Sequence, residues 1–360
     1  MKCDRPISTG LGNSLAASVI MAVAVLPAPP AHAAAPARIN QLVDNANLSE
    51  RDLDDIRRYA LHWAGTRQPD EVDEARAKLI EPLRAIRVGD RFRFEYSRAV
   101  VPHLEKVILQ GTTHAAVNSL QVVALLGTPE ALKVILAHAS IDDEDDFGIR
   151  LWAARAFPIA VDQGVLPQDK INEALRKLEK AASREAAAAG AADAPLQWLV
   201  LQRQFEAIAS VKNSVSRDVL AKVLKAVTQA MKKNQHGPSD LMNATYPALM
   251  LILNEYLTLD PANRKTVGKS LAPVLCDLCR VAATHWAKAQ DNEVARKSYG
   301  GAVHISENLL KLIDARIRPD QVRPRTELGG AWRSGDKHRF DLDRDKWSDV
   351  LRRPPYVNKH

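Results

Sequence analysis

Apolar residues along this 360-residue chain recur at helical spacing and not in alternation. Leu53, Ile56, Ala60 and Trp63 follow a capping-box-like start at Ser49 and Asp52, and Gly65 marks a stop. Asp70 opens a second segment carrying Val72, Leu79 and Leu83, which Pro82 is expected to kink. A third helix spans about 91–109 and ends before Gly111. From His114 to Leu126 the pattern reads as one helix that Gly127 ends. Thr128 caps the next, and Pro129 takes its first position, where no N–H is needed. That helix carries Leu132, Ile135 and Leu136. The acidic turn Asp142-Asp143-Glu144-Asp145-Asp146 then precedes a helix containing Ile149, Arg150, Trp152, Ala153, Ala156 and Phe157. Negative charge at a helix start is favoured by the helix dipole, so a structural role suffices for the turn. Further helices are predicted over 170–182, 196–211, 217–231, 241–256, 262–289 and 293–314, and Asp260-Pro261 repeats the cap-then-proline chemistry of Thr128-Pro129. No segment alternates, so no sheet is predicted. Connections this short make successive helices antiparallel, which gives an all-α, two-layer array of stacked helix pairs.

The first residues change the picture. Lys2 and Arg5 precede an apolar run from Leu15 to Leu26 and the small-residue site Ala31-His32-Ala33, the three-part layout of a secretory signal. The run is too short to span a membrane, which needs about 20 residues, so cleavage after Ala33 is expected, with a periplasmic or secreted product. Cys3 lies too far upstream of the site to be a lipid-attachment cysteine. A mean hydropathy of −0.23 fits a soluble body with no further membrane span.

At residues 125–156 the chain resembles a HEAT-type repeat. The stretch Leu125-Leu126-Gly127-Thr128-Pro129-Glu130-Ala131-Leu132 is followed by the acidic turn, Gly148-Ile149-Arg150 and Ala153-Ala154-Arg155-Ala156, in that family's helix-turn-helix pattern. The resemblance implies a HEAT-like α-solenoid and a bond between repeats from an Asp of the turn, Asp145 or Asp146, to Arg150. It covers about forty residues, over 118–162, and the rest of the chain matches only as alternating helices.

The expected organisation is a signal peptide over 1–33, a helical repeat region over 34–185, an Ala-rich linker over 186–195, a second helical region over 196–314, and an irregular basic tail over 315–360. The chain carries 50 basic and 43 acidic residues. Without the signal, 48 and 42 remain, and twelve basic against seven acidic residues fall in the tail, so the body is close to neutral. A nucleic-acid binder would carry a basic stripe on its folded face, so that partner is not expected. The tail points to anionic envelope components or to a solvated terminus. Trp332, Phe340, Trp347 and Tyr356 within it suggest docking on the helical body, the alternative being a disordered segment.

The candidate chemistry is sparse. Cys276 and Cys279 fall inside a predicted helix and not at a strand-to-helix junction, and His285 is the one further metal donor near them. Buried free thiols are the first reading and a local disulfide the second. Asp341, Asp343 and Asp345 alternate like the start of a calcium loop, but Lys346 and Arg352 stand where Gly and Glu are required, so a charged turn is expected. His62, His103, His114, His138, His236, His285 and His304 are scattered without ligand spacing, and each reads as a partly exposed helix residue. Trp63, Trp152, Trp198 and Trp286 read as core. No catalytic, cofactor or metal residues are nominated. The leading expectation is a non-enzymatic exported scaffold that binds a protein or envelope partner. The alternative is a secreted α/α-toroid hydrolase or lyase acting on polysaccharide, which an aromatic content of 5% weakens. Oligomeric state is left open.

Overall fold

The computed structural model describes residues 38–65, 69–189, 196–233 and 240–356. The expected signal segment, His236 and most of the Ala-rich linker lie outside these residues. Among those described there are fifteen α-helices, two short 3₁₀ turns at Ile39–Gln41 and Glu81–Arg84, and no strand. In chain order the helices are α1 (Glu50–Ala64), α2 (Pro69–Ile80), α3 (Asp90–Gln110), α4 (Thr113–Leu126) and α5 (Pro129–Ala137). They continue with α6 (Phe147–Asp162), α7 (Gln168–Ala188), α8 (Gln197–Ser210), α9 (Ser214–Lys233) and α10 (Leu241–Thr258). The last five are α11 (Pro261–Thr284), α12 (Trp286–Asp291), α13 (Glu293–Ile317), α14 (Leu328–Ser334) and α15 (Lys337–Leu351).

Local chemistry sets most of these boundaries. At the start of α1 the Ser49 hydroxyl accepts from the Asp52 N–H while the Asp52 carboxylate accepts from the Ser49 N–H, a complete capping box. Thr112, Thr128, Asp146, Asp260 and Asn292 accept in the same way at the starts of α4, α5, α6, α11 and α13. Gly127 ends α4 at φ +62°, and a Cβ there would lie 2.5 Å from the Gln163 side chain, so the turn excludes any larger residue on two counts.

The helices form two layers. α1, α3, α5, α7, α9 and α11 pack side by side in one, and α2, α4, α6, α8, α10 and α13 in the other. Each helix also rests on its chain neighbour in the opposite layer, so the structure is a serial stack of antiparallel helix pairs. Phe157, Leu178, Phe205, Leu224, Leu249 and Leu275 point between the layers and are fully buried. Short α12 sits beside α13 without displacing it.

Four expectations need correction. Pro82 does not kink α2, because the α-helix ends at Ile80 and Leu83 lies in the 3₁₀ turn that follows. The predicted helix over 262–289 is two, since His285 at φ −94°, ψ 12° leaves the helical path after Thr284. Ala-rich 186–188 continues α7, with Glu185 and Ala186 buried, and the packing of α6 on α8 and of α7 on α9 carries the stack past the expected linker. The basic tail is not irregular: α14 and α15 occupy it and pack on α13 and α11. Part of its charge is paired locally, Lys337 and Arg344 on Asp341, Lys346 on Asp343 and Arg339 on Glu327.

Candidate functional site

The residues nominated in the tail converge on one anchored cluster. Trp332 is buried, stacks on Tyr299 at 6.0 Å between ring centroids, meets Trp286 edge-on at 4.7 Å, and donates its indole N–H to the Arg296 carbonyl. Phe340 lies 5.0 Å from the Trp286 ring. Trp347 donates to the Thr326 hydroxyl, which in turn donates to Glu307. Glu307 also accepts from the Gly329 N–H at 3.0 Å. Burial alone would raise the Glu307 carboxyl, but bonds from Gly329, Lys311, Thr326 and Leu328 outweigh that effect and hold it below its ordinary range. Half-buried Tyr356 donates to Asp314 at 3.0 Å, beside a bidentate Arg318–Asp314 pair at 2.6 and 2.9 Å. Asp341, Asp343 and Asp345 lie within α15 and not in a turn, with Asp343 buried and accepting from the Glu327 N–H. This cluster closes the C-terminal end of the stack, and every polar group just named is occupied by a protein partner.

The repeat-turn residues are arranged differently from the expected pair. Asp146 caps α6 and bonds Thr113, and neither it nor Asp145 gives its carboxylate to Arg150. Arg150 instead donates to the Glu144 and Asp145 backbone carbonyls, each at 2.8 Å, and its charge partner is Glu185 on α7, with 3.4 Å between Arg150 Nε and Glu185 Oε2. Both are buried, and burial raises the Glu185 carboxyl against the attraction of Arg150. Nothing local in the sequence links two residues 35 positions apart. Cys276 and Cys279 are free buried thiols inside α11, with Cys276 Sγ 3.5 Å from the Ser348 hydroxyl of α15. Burial pushes both thiols up, away from the reactive thiolate. His138 and His285 are buried and not partly exposed, and His138 bonds Glu144 at 2.7 Å. Among the described residues no group of three or more His, Cys, Asp or Glu could hold a metal ion, and no helix is long and apolar enough to cross a membrane.

What the sequence reading missed is a difference between the middle helices of the two layers, for the end helices α2 and α13 carry six and seven charged residues of their own. α4 contains no Asp, Glu, Lys or Arg, α10 has one, Glu255, and α8 has two, Arg203 and Glu206. In the opposite layer α7 carries nine such residues among 21, and α9 six among 20. Of these helices α4 is covered beyond its first turn, whereas α10 is not. Along α10, Tyr246, Met250, Leu253 and Leu257 recur four, three and four apart on one face. Tyr246, Met250 and Leu257 are 40%, 36% and 49% exposed. Trp152 on α6 and Trp198 on α8, like Trp63, pack against the core as expected but are only partly buried, and the Arg155 guanidinium lies 4.7 Å over the Trp152 ring. A Cβ on Gly301 would lie 2.7 Å from the Tyr246 ring, so the glycine lets that ring approach the α13 backbone closely. The missed signal was present: a helix with no charge and an i, i+4, i+7, i+11 apolar stripe reads as buried, and its exposure is visible only in three dimensions.

The charged layer holds a groove of about 610 Å³ between α1 and α3, with Leu53 and Arg57 on one wall and Arg98 and Pro102 on the other. This size falls within the about 300–1,000 Å³ of ordinary ligand clefts.

The fold defines an all-α protein of serially stacked helix pairs whose middle helices differ in charge between the two layers. No family model matches the chain, and no curated protein matches it. Among solved structures it is similar to one described as "Computational Design of Self-Assembling Cyclic Protein Homooligomers". The identity is 11% over 79% of this chain and 92% of that one, with a TM-score of 0.20, and that likeness carries no argument here.

Proposed function

We propose that this protein is an exported, non-enzymatic scaffold of HEAT-like construction that holds a protein partner against the outer face of α4, α6, α8 and α10. The carrying observation is the outer stripe of α10: a helix with one charged residue presents Tyr246, Met250 and Leu257 to solvent, beside partly buried Trp198 of α8, while α7 and α9 of the other layer are densely charged. Half-exposed Trp and Tyr supported from behind are the residue types that anchor protein interfaces. The apolar, uncharged character of the face favours a protein over an anionic envelope component. Export rests on the signal-like layout of residues 1–33. The serial packing, in which α1 rests on α2 and α3 and the last helices on α11 and α13, supports a scaffold over an α/α-toroid hydrolase or lyase, which needs a closed ring.

A photo-crosslinking residue placed at Met250 or at Lys222 tests the reading in a cell-envelope extract. The Met250 position is expected to give a discrete protein adduct and the Lys222 position, on charged α9, none. Adducts of equal yield at both positions, or at neither, overturn it.

A further inference from the structure

The groove between α1 and α3 differs from the α10 face in having both an apolar floor and two guanidiniums held only by pairs within their own helices. Leu53 and Leu61 stand on the α1 side, Leu61 being 62% exposed, and Ala99 and Pro102 on the α3 side. Two guanidiniums stand on its rims. Arg57 is bound to Asp54 at 2.7 Å, with both side chains more than half exposed. Arg98 reaches Glu95 at 3.4 Å, long for a charged bond. Pairs at or near the surface contribute little, so either guanidinium can turn to a better-placed carboxylate at little cost. Burial and nearby Lys106 lower the His103 imidazole, which keeps it uncharged at neutral pH and leaves Glu95 as the one acid lining the groove against Arg57 and Arg98. Pro102, inside α3, adds an apolar ring to that wall.

The walls are the faces of two helices of one layer, lined on α1 at positions 53, 57 and 61 and on α3 at 95, 98, 99 and 102. A trough between neighbouring helices accepts a third helix, ridge into groove. We propose that this groove docks a short amphipathic helix of a second protein, whose leucine-like side chains lie on Leu53, Leu61 and Pro102 and whose flanking carboxylates are taken by Arg57 and Arg98. Charge complementarity selects an acidic helix over a basic one. The site shares no residue with the α4–α10 face, so the two docking surfaces stand or fall separately.

The test uses the full chain and two fluorescein-labelled helical peptides of about four turns, roughly 14 residues. Both carry leucine at i, i+3, i+4 and i+7, with glutamate flanks in one and lysine flanks in the other. Fluorescence anisotropy is expected to show the acidic peptide bound at least about tenfold more tightly than the basic one. Arg57→Glu/Arg98→Glu, both surface changes whose folding is checked by circular dichroism, is expected to reverse that order. Ala99→Trp, which fills the groove and keeps both guanidiniums, is expected to remove binding of both peptides. Equal affinities, absence of binding at millimolar protein, or binding indifferent to Ala99→Trp overturns the proposal. So does a concentration-dependent dimer on a sizing column that Arg57→Glu/Arg98→Glu abolishes, since the occupant would then be a second copy.

Discussion

The two layers of the stack are built alike on the inside and unlike on the outside. Leu178 and Leu224 of α7 and α9 are as fully buried as Phe205 and Leu249 of α8 and α10. Outward, α7 and α9 show Lys170, Glu173, Lys177 and Lys222 in ion pairs, whereas α8 and α10 show Trp198, Tyr246 and Met250. Stacking therefore explains the inward residues of both layers and part of the packing of Trp198 and Tyr246, and leaves the exposure of Met250 and Leu257 unaccounted for. That exposed stripe is the surface on which the proposed partner contact rests.

The comparison can be broken first at its common interior. Phe205→Ala in α8 and Leu178→Ala in α7 are expected to lower stability by about 3–5 and 2–5 kcal/mol, read from urea unfolding. A small loss in one layer alone would show that the interiors are not equivalent. Next in size is the Arg150–Glu185 pair that joins α6 to α7 across the layers. Glu185→Ala strands a buried guanidinium and is expected to cost about 3–5 kcal/mol, while Arg150→Met/Glu185→Leu is expected to fall near the wild type or above it. A third test touches the α6 end of the uncharged layer. Burial would raise the Asp146 carboxyl, but bonds from Thr113 and from the Ile149 and Gly148 N–H groups, with Arg150 nearby, hold it below its ordinary value of 3.8. A depressed folded value means stability that is present above the unfolded value and lost as pH falls through the folded one. Asp146→Ala is thus expected to cost about 1 kcal/mol at pH 7, and that difference should shrink as the pH is lowered below 3.8, followed by urea midpoints. The smallest effect sharpens the comparison most. Met250→Ala and Lys222→Ala are each expected to stay within about 0.5 kcal/mol of wild type, although only the first removes apolar surface. A loss at Met250 approaching that at Phe205 would mean the outward stripe holds the fold together and is not held for a partner.

Legibility followed the range of the interaction. Thr128-Pro129, Asp260-Pro261 and Ser49 with Asp52 announce helix starts because a cap acts within one turn, and the structure has all three. The break at His285 carries no Gly or Pro and was not readable. α15 was hidden by composition: its charges read as a polar tail, although Phe340, Asp343, Trp347 and Leu351 mark a buried stripe at helical spacing and Lys337–Asp341 pairs along the helix surface. At the repeat turn the resemblance drew attention to Arg150 but assigned it the wrong acid, because Glu185 reaches it from another helix.

The chain by itself determined that this protein is all-α, where most of its helices begin, and that they stack, since periodicity and capping are properties of neighbouring residues. Only the tertiary structure decided which apolar stripes are covered. The stripes of α9 and α10 look equally fit for burial in one dimension. Which of them faces the opposite layer and which faces water depends on how many helices lie around each, and that is set by contacts between residues far apart in the chain.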